Sequence, residues 1–262
     1  MTATVDGGPR RRRDRRSPRR RVTFLGVVGE LLITLGVVTL LYVSWQLWIG
    51  DILIGSQMKD EAQSLSQQWA QELAVPRPSS TGEATPAAPP ATADPPALPQ
   101  PAAGQEFGVV WIPRFGPDFS FRLAGGVDTA VTLDPIGIGH YPETAMPGQV
   151  GNFAVAGHRG SHGAPFQDLP SLRIGDAVVI ETQEGWFTYR FRNLAYVQPS
   201  AVDVLLPVPQ VSDIATDGRY ITMTTCSPRY GSSERAIAYG VFESFTPRSS
   251  GAPVALTEGA TA

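Results

Sequence analysis

The chain has 262 residues, of which 42% are hydrophobic and 17% are charged, and its formal net charge is −3. This composition excludes a wholly disordered or collagen-like protein. Nine arginines lie within residues 1–21, so the remainder of the chain is acidic. An acidic body argues against a nucleic-acid-binding core, because such a core is basic where it folds.

Residues 22–49 are almost continuously apolar, with Glu30 as the only acidic or basic side chain. A helix of this length would be about 42 Å long and could cross a bilayer core of about 30 Å. The arginines precede this stretch, and the positive-inside rule therefore predicts a cytoplasmic tail over residues 1–21. We expect a single-pass anchor in the lipid bilayer, with everything after about residue 50 outside the cell.

Two segments of different composition follow the predicted anchor. Residues 50–75 carry one apolar stripe that predicts a juxtamembrane helix; its members are Met58, Ala62, Leu65, Trp69 and Leu73. Residues 76–106 are rich in proline and alanine and favour a disordered, extended linker that holds the next domain away from the bilayer.

The folded domain is expected over residues 107–247, followed by a disordered tail over 248–262. Short β-like runs separated by turn residues predict a mainly β fold, a closed or nearly closed barrel with short helical elements such as one or two turns in 166–172. The clearest predicted strands are Gly108–Ile112, Asn152–Ala156, Ala177–Thr182, Trp186–Val197, Tyr220–Thr225 and Ala236–Phe245.

Cys226 is the only cysteine, which excludes an intrachain disulfide and any zinc site built from several thiolates. It lies where a β-branched run meets a polar loop, a position that presents side chains from a rigid base. An unpaired thiol outside the cytoplasm is open to oxidation, so its presence there suggests a use. From position alone, a nucleophile and a structural residue are equally plausible.

A thiol nucleophile needs a partner that makes its thiolate, and the chain has three histidines. His158 ends a buried-looking strand, as Cys226 does, whereas His140 and His162 lie in loops. His158 and His162 have the i, i+4 spacing of some metal sites, but the residues between them would form a poor helix and no third ligand is evident. We therefore predict no metal and no cofactor.

Arg235 follows Cys226 by nine residues and begins the next predicted strand. If the two strands are neighbours, its guanidinium and the thiol lie at the same end of the sheet. A cation at that place could donate hydrogen bonds to an oxyanion formed when sulfur attacks a carbonyl. A surface arginine paired with Glu234 or with another carboxylate is an equally plausible alternative.

These features together resemble the sortase family. Thr222-Met-Thr-Thr-Cys226 is similar to the family's Thr-Leu-x-Thr-Cys signature, Ala156-Gly-His-Arg159 resembles the segment that bears its histidine, and Arg235 matches its arginine. The run from Gly137 to Pro142 looks most like class E. The resemblance covers the anchor, the orientation and the domain length as well.

The resemblance implies an eight-stranded sortase β-barrel and a cysteine transpeptidase without a cofactor. Catalytic residues would be His158, Cys226 and Arg235; Tyr141 would contribute to substrate selectivity, and Thr225 would support the site. The substrate would be a Leu-Pro-x-Thr-Gly or Leu-Ala-x-Thr-Gly sorting signal of a surface protein, cleaved between Thr and Gly. The acceptor would be an amine of a peptidoglycan precursor or of a pilin.

Two rival functions remain. An L,D-transpeptidase would need a cysteine after Ser161-His-Gly163, where Ala164 stands, so that mechanism has no acyl carrier. A non-catalytic membrane-anchored binding or scaffold protein would have no need to retain His158, Cys226 and Arg235 together.

Overall fold

The computed structural model describes residues 23–45, 50–74 and 94–258. The chain divides into two compact units, Met1–Gln46 and Leu47–Ala262. The predicted cytoplasmic tail, the junction between the anchor and the next helix, and most of the predicted linker lie outside the described residues.

Helix α1 spans Phe24–Ser44 and contains no buried residue. Its 21 residues correspond to about 32 Å, close to the thickness of a bilayer core. Within the described residues, it is the one helix whose length and composition suit a membrane span. The helix therefore fits the predicted anchor.

The second unit contains a closed barrel of eight strands in the order β1-β2-β3-β4-β7-β8-β6-β5. The strands are β1 Glu106–Trp111, β2 Ser120–Gly125, β3 Gly137–His140, β4 Gly151–Gly157, β5 Ala177–Glu181, β6 Gly185–Val197, β7 Arg219–Ser227 and β8 Glu234–Pro247. The predicted mainly β barrel is confirmed. The sequence patterns missed β2, in which only the first four residues alternate polar and apolar, and β3, which is four residues long and contains two glycines.

The barrel encloses one large apolar core. Its biggest fully buried side chains include Phe121, Phe153, Phe187 and Tyr189, which come from strands β2, β4 and β6. All seven residues of β4 are buried, and Asn152 is the one polar residue among them. A fully buried strand supplies the rigid base from which the loop after Gly157 projects.

Helix α2 spans Gly50–Ala74 and packs on strands β1 and β2. Its apolar stripe is buried as predicted at Met58, Ala62 and Trp69, with Leu65 packed beside them. The Leu73 side chain lies outside the described residues. The juxtamembrane helix is thus part of the folded unit and covers one face of the barrel.

Two predicted boundaries need correction, because both flanking segments bind the barrel. Before β1, Leu98 packs against the core and the Gly104 amide donates to the Gly125 carbonyl at 2.8 Å. After β8, the Arg248 guanidinium is buried in an ion pair with Glu181, and Ala255 is buried as well. The folded unit therefore includes residues 94–106 of the predicted linker and 248–258 of the predicted tail.

The predicted helical turns in 166–172 reduce to one short 3-10 turn, Leu169–Ser171.

Candidate active site

Three neighbouring strands bring the candidate residues to one end of the barrel. Strands β4 and β7 run parallel with Ala156 opposite Thr224. His158 directly follows Gly157, the last residue of β4, and therefore lies at the same end of the sheet as Cys226 near the end of β7. Strands β7 and β8 run antiparallel, and Cys226 is directly opposite Arg235.

The Cys226 side chain is partly exposed, at the end of a strand whose preceding five residues are buried. Arg235 is also partly exposed, and its Nη1 donates to the carbonyls of Ser232 and Glu234, each at 3.0 Å. Its guanidinium therefore lies along its own loop, with other N–H groups remaining to bind a ligand. No ion pair links it to Glu234 within the described residues.

His158 forms a close pair with an acidic residue from a distant loop. Its Nε2 lies 2.7 Å from Oδ1 of Asp134, which follows the helical turn Thr129–Leu133. The side chains of His158 and Asp134 are 19% and 35% exposed, so both remain open to a substrate. The carboxylate holds one ring nitrogen and thereby limits the orientation of the imidazole.

The loops after β4 and β7 pack closely on each other. A Cβ on Gly160 would lie 2.2 Å from the Arg229 carbonyl, so only glycine allows this approach. Arg159 Nη1 lies 3.5 Å from the Cys226 carbonyl, and its buried Nε has no hydrogen-bond partner within the described residues. A second guanidinium thus lies beside the cysteine.

Two further candidates from the sequence lie around the same strands. Tyr141 is partly exposed, and its hydroxyl is 2.9 Å from Oγ1 of buried Thr224. Thr225 is buried, and its hydroxyl donates to the Gly157 carbonyl at 2.7 Å. Thr225 therefore ties the strand of the cysteine to the residue that precedes His158.

The other two histidines occupy different environments. His140 is 1% exposed, stacks on Phe153 and hydrogen-bonds the Ala145 carbonyl through Nε2, and its burial lowers its pKa to about 4. This is the environment of a structural, neutral histidine. His162 is exposed, and its Nδ1 lies 3.6 Å from Oδ1 of Asp134.

The fold and this site agree with a family comparison: the model of the Sortase domain matches residues 110–243. The chain belongs to the sortase family. Members of this family are cysteine transpeptidases, and the closed eight-stranded barrel is the fold that the resemblance implied.

Two curated sortases of Streptomyces coelicolor are similar over most of this chain. Sortase SrtE1 is 37% identical over 253 residues, which cover 94% of this chain and 65% of that protein. Sortase SrtE2 is 30% identical over 255 residues, which cover 92% of each chain. The chain thus spans just under two thirds of the length of the first relative.

Among solved structures, Sortase E1 of Streptomyces coelicolor with a tripeptide in its active site is 41% identical, with a TM-score of 0.55. The match covers 60% of this chain and 99% of that one. The likeness to class E sortases that the sequence motifs indicated is therefore confirmed.

Sequence patterns did not assign a role to Asp134 or Arg159. Asp134 precedes His158 by 24 residues and lies in a loop that has no periodicity, so no local spacing connects the two. Arg159 stands in the histidine segment of the sortase motif, and only the packing of that loop shows its guanidinium beside Cys226.

Proposed function

We propose that this sortase is a membrane-anchored transpeptidase that attaches surface proteins to an amine of the cell envelope. Its substrate would be a Leu-Pro/Ala-x-Thr-Gly sorting signal cleaved between Thr and Gly. The observation that carries this proposal is the meeting of His158, Cys226 and Arg235 at the same end of strands β4, β7 and β8.

The first half-reaction forms a thioester. The Cys226 proton passes to His158, and the sulfur attacks the carbonyl carbon of the signal's threonine. The C–N bond to glycine then breaks, and the His158 imidazolium gives its proton to the departing amine. The products are a threonyl thioester on Cys226, neutral His158 and a released peptide that begins with glycine.

The second half-reaction reverses the proton transfers. An amine from a peptidoglycan precursor or a pilin lysine attacks the thioester, and His158 accepts the proton that the amine loses. A new amide bond forms, the Cys226 thiolate leaves, and the His158 imidazolium returns its proton to the thiolate. The cysteine and histidine return to their starting state, so no cofactor is consumed.

Arg235 is the proposed donor to the oxyanion of both tetrahedral intermediates. Its position opposite Cys226 supports this role, because the guanidinium can reach across the strand pair. Asp134 is the proposed positioning residue for His158, through the 2.7 Å contact at Nε2. Thr225 would support the site by fixing the end of β4.

Tyr141 is the proposed contact for signal selectivity. Its ring stands beside the cysteine-bearing strand, fixed by the contact of its hydroxyl with Thr224. The similar Sortase E1 has been solved with a tripeptide in its active site, which supports a peptide substrate for this chain.

We also propose the topology that the arginine run predicts, with a cytoplasmic N-terminus, helix α1 in the cell membrane and the catalytic unit outside. The apolar, unburied α1 supports the membrane part of this proposal.

Mass spectrometry of peptide reactions tests the function. The purified full chain in detergent is mixed with Leu-Pro-x-Thr-Gly and Leu-Ala-x-Thr-Gly peptides and with a glycyl, diaminopimelyl or lysyl amine. We expect a thioester adduct on Cys226 and a transpeptidated product. His158→Ala should slow acylation by about 10²-fold or more.

The control reactions decide between this proposal and a scaffold protein. If a thiol-reactive sorting-signal peptide labels Cys226 no faster than free cysteine, the catalytic proposal is wrong. If His158→Ala retains full activity, His158 is not the general acid, and His162 becomes the candidate.

A further inference from the structure

Three metal-ligating groups converge beside the proposed active site. Oδ1 of Asp134 lies 2.7 Å from Nε2 of His158 and 3.6 Å from Nδ1 of His162. All three ligand atoms lie within 4.8 Å of one another, and the two imidazole rings are 5.1 Å apart. Two imidazole nitrogens and one carboxylate oxygen form the donor set of an open zinc site, with a fourth position left for water.

The distances require side-chain movements of at most about 1.5 Å, because the ligand nitrogens of His158 and His162 lie within 4.8 Å of each other and would approach to about 3.3 Å. Two ligands at 2.0–2.1 Å from a tetrahedral Zn²⁺ are about 3.3 Å apart. The contact between Asp134 and His162 is close to that value, and the contact between Asp134 and His158 would lengthen by about 0.6 Å. Each carboxylate and imidazole can make such an adjustment by rotating its own torsions.

The backbone holds His162 at this place in a strained conformation. His162 and Ala164 have φ values of 50° and 44°, the left-handed region that costs a residue with a side chain about 1–3 kcal/mol. Between them, Gly163 lies against helix α2: a Cβ on Gly163 would be 2.9 Å from Met58 Sδ and 3.1 Å from the Gly55 Cα. The helix thus leaves little room for this loop to relax.

We propose that Asp134, His158 and His162 bind a divalent transition metal, with Zn²⁺ as the preferred ion, and that the bound metal reversibly blocks acyl transfer. The ion would take the Nε2 lone pair of His158, whose ring proton would then reside on Nδ1. His158 could no longer exchange a proton with Cys226 or an amine. Only the inhibition rests on the proposed function; the metal binding does not.

The chain offers few other side chains that could compete for Zn²⁺ in a binding test. The full chain has three histidines and one cysteine, and His140 is buried and hydrogen-bonded. Zn²⁺ binding is measured by titration calorimetry on an untagged full chain in detergent. This chain carries Cys226→Ser, which removes the thiol as a competing ligand. We expect one ion per chain with micromolar or tighter affinity.

Matched variants in the Cys226→Ser chain assign the ligands. His162→Gln and Asp134→Asn should each weaken Zn²⁺ binding at least tenfold, because each removes one proposed ligand. Asp118→Asn, which changes an exposed carboxylate that lines the same surface cavity as Gly163, should leave the affinity unchanged. Co²⁺ in place of Zn²⁺ should give the visible absorption of tetrahedral coordination and lose it in His162→Gln.

Activity measurements test the inhibition separately. Zn²⁺ should inhibit the wild-type chain, and a chelator should restore the rate. Without metal, His162→Gln should transfer peptide at the wild-type rate. Its half-inhibition should require at least ten times more Zn²⁺ than that of the wild type. Equal inhibition of wild type and His162→Gln would overturn the proposal, since the thiol would then be the ligand.

The two proposals fail in different ways. Absence of Zn²⁺ binding to the Cys226→Ser chain, with peptide transfer intact in wild type, would overturn the metal site alone. Absence of peptide transfer in every condition, with stoichiometric Zn²⁺ binding that needs His162, would overturn the proposed function and uphold the metal site.

Discussion

Charged groups serve different purposes in two regions of the barrel. At the β5 edge, Glu181 and Arg248 form an ion pair at 2.8 Å with side chains 1% and 5% exposed. Glu181 also accepts hydrogen bonds from Ser66 of α2 and Trp111 of β1. At the proposed active site, His158, Asp134 and Arg235 all remain partly exposed.

The difference lies in how much of each group's bonding capacity the protein itself uses. The Arg248 guanidinium stacks between Trp69 and Trp186 and donates to Glu181 and two backbone carbonyls, so little of it is left for a ligand. Near Cys226, the buried Nε of Arg159 has no partner among the described residues. The fold thus uses most of the donors of Arg248, whereas the Arg159 guanidinium beside Cys226 keeps a donor without a partner in the part of the chain that the structure describes.

The largest expected effect separates chemistry from folding at Cys226. Cys226→Ala should abolish peptide transfer, because no other thiol in the chain can carry the acyl group. The melting temperature should stay nearly unchanged, since the side chain is partly exposed. A collapse of folding in thermal denaturation would instead identify Cys226 as a core residue.

A substitution at the buried ion pair of Glu181 and Arg248 should instead lower the stability of the fold. Glu181→Gln leaves the Arg248 charge buried without its partner and should lower the free energy of unfolding by about 3–5 kcal/mol. The exposed pair between Arg190 and Glu243 provides the control: Glu243→Gln should change it by less than about 1 kcal/mol. Equal losses in urea denaturation would contradict the contrast between buried and exposed pairs.

Arg235 should affect catalysis without affecting stability. Arg235→Ala should cost about 2–4 kcal/mol of transition-state stabilisation, seen as a loss in kcat/KM for the sorting-signal peptide. Arg235→Lys should remain impaired, because an ammonium lacks the planar fork of the guanidinium. Full rescue by lysine would show that charge alone suffices.

Acid should destabilise the fold through His140. Burial lowers its pKa to about 4, whereas in the unfolded chain it takes up a proton near pH 6.5. The unfolded state therefore gains protons first as the pH falls, and stability is lost between about pH 6.5 and pH 4. Between pH 7.5 and pH 5 this residue should account for about 2 kcal/mol.

Urea unfolding of wild type and His140→Gln over this pH range measures that contribution. The difference in unfolding free energy between the two chains should shrink or change sign as the pH falls. A difference that is constant with pH would mean that the pKa of His140 is the same in the folded and unfolded states.

The smallest expected effect concerns Asp134 as a positioning residue. Asp134→Asn keeps an oxygen acceptor for His158 but removes its charge, and kcat should fall about tenfold, or about 1.4 kcal/mol, with little change in KM. The pH dependence of kcat should shift as well. A change in melting temperature without these kinetic changes would assign Asp134 a structural role only.

Local patterns were sufficient for much of the fold. Alternating and β-branched runs located six of the eight strands, and the 4, 3, 4, 4 spacing of the α2 stripe predicted which helix face is buried. Strand β3 was missed because Gly137–His140 has four residues, two of them glycine, and β2 because the polar–apolar alternation in Ser120–Gly125 covers only four residues, the lower limit of a strand signal. The segments around Leu98 and Ala255 were assigned to disorder, because composition does not reveal packing against a distant surface.

The sequence by itself determined the apolar span, the β class and the placement of His158, Cys226 and Arg235 at strand ends, because each of these depends on neighbouring residues. Only the tertiary structure decided that Asp134 and His162 flank His158, and that Glu181 binds groups from α2, β1 and the chain after β8. Such contacts join loops and segments whose separation along the chain follows no period, so they exist only once the barrel has closed.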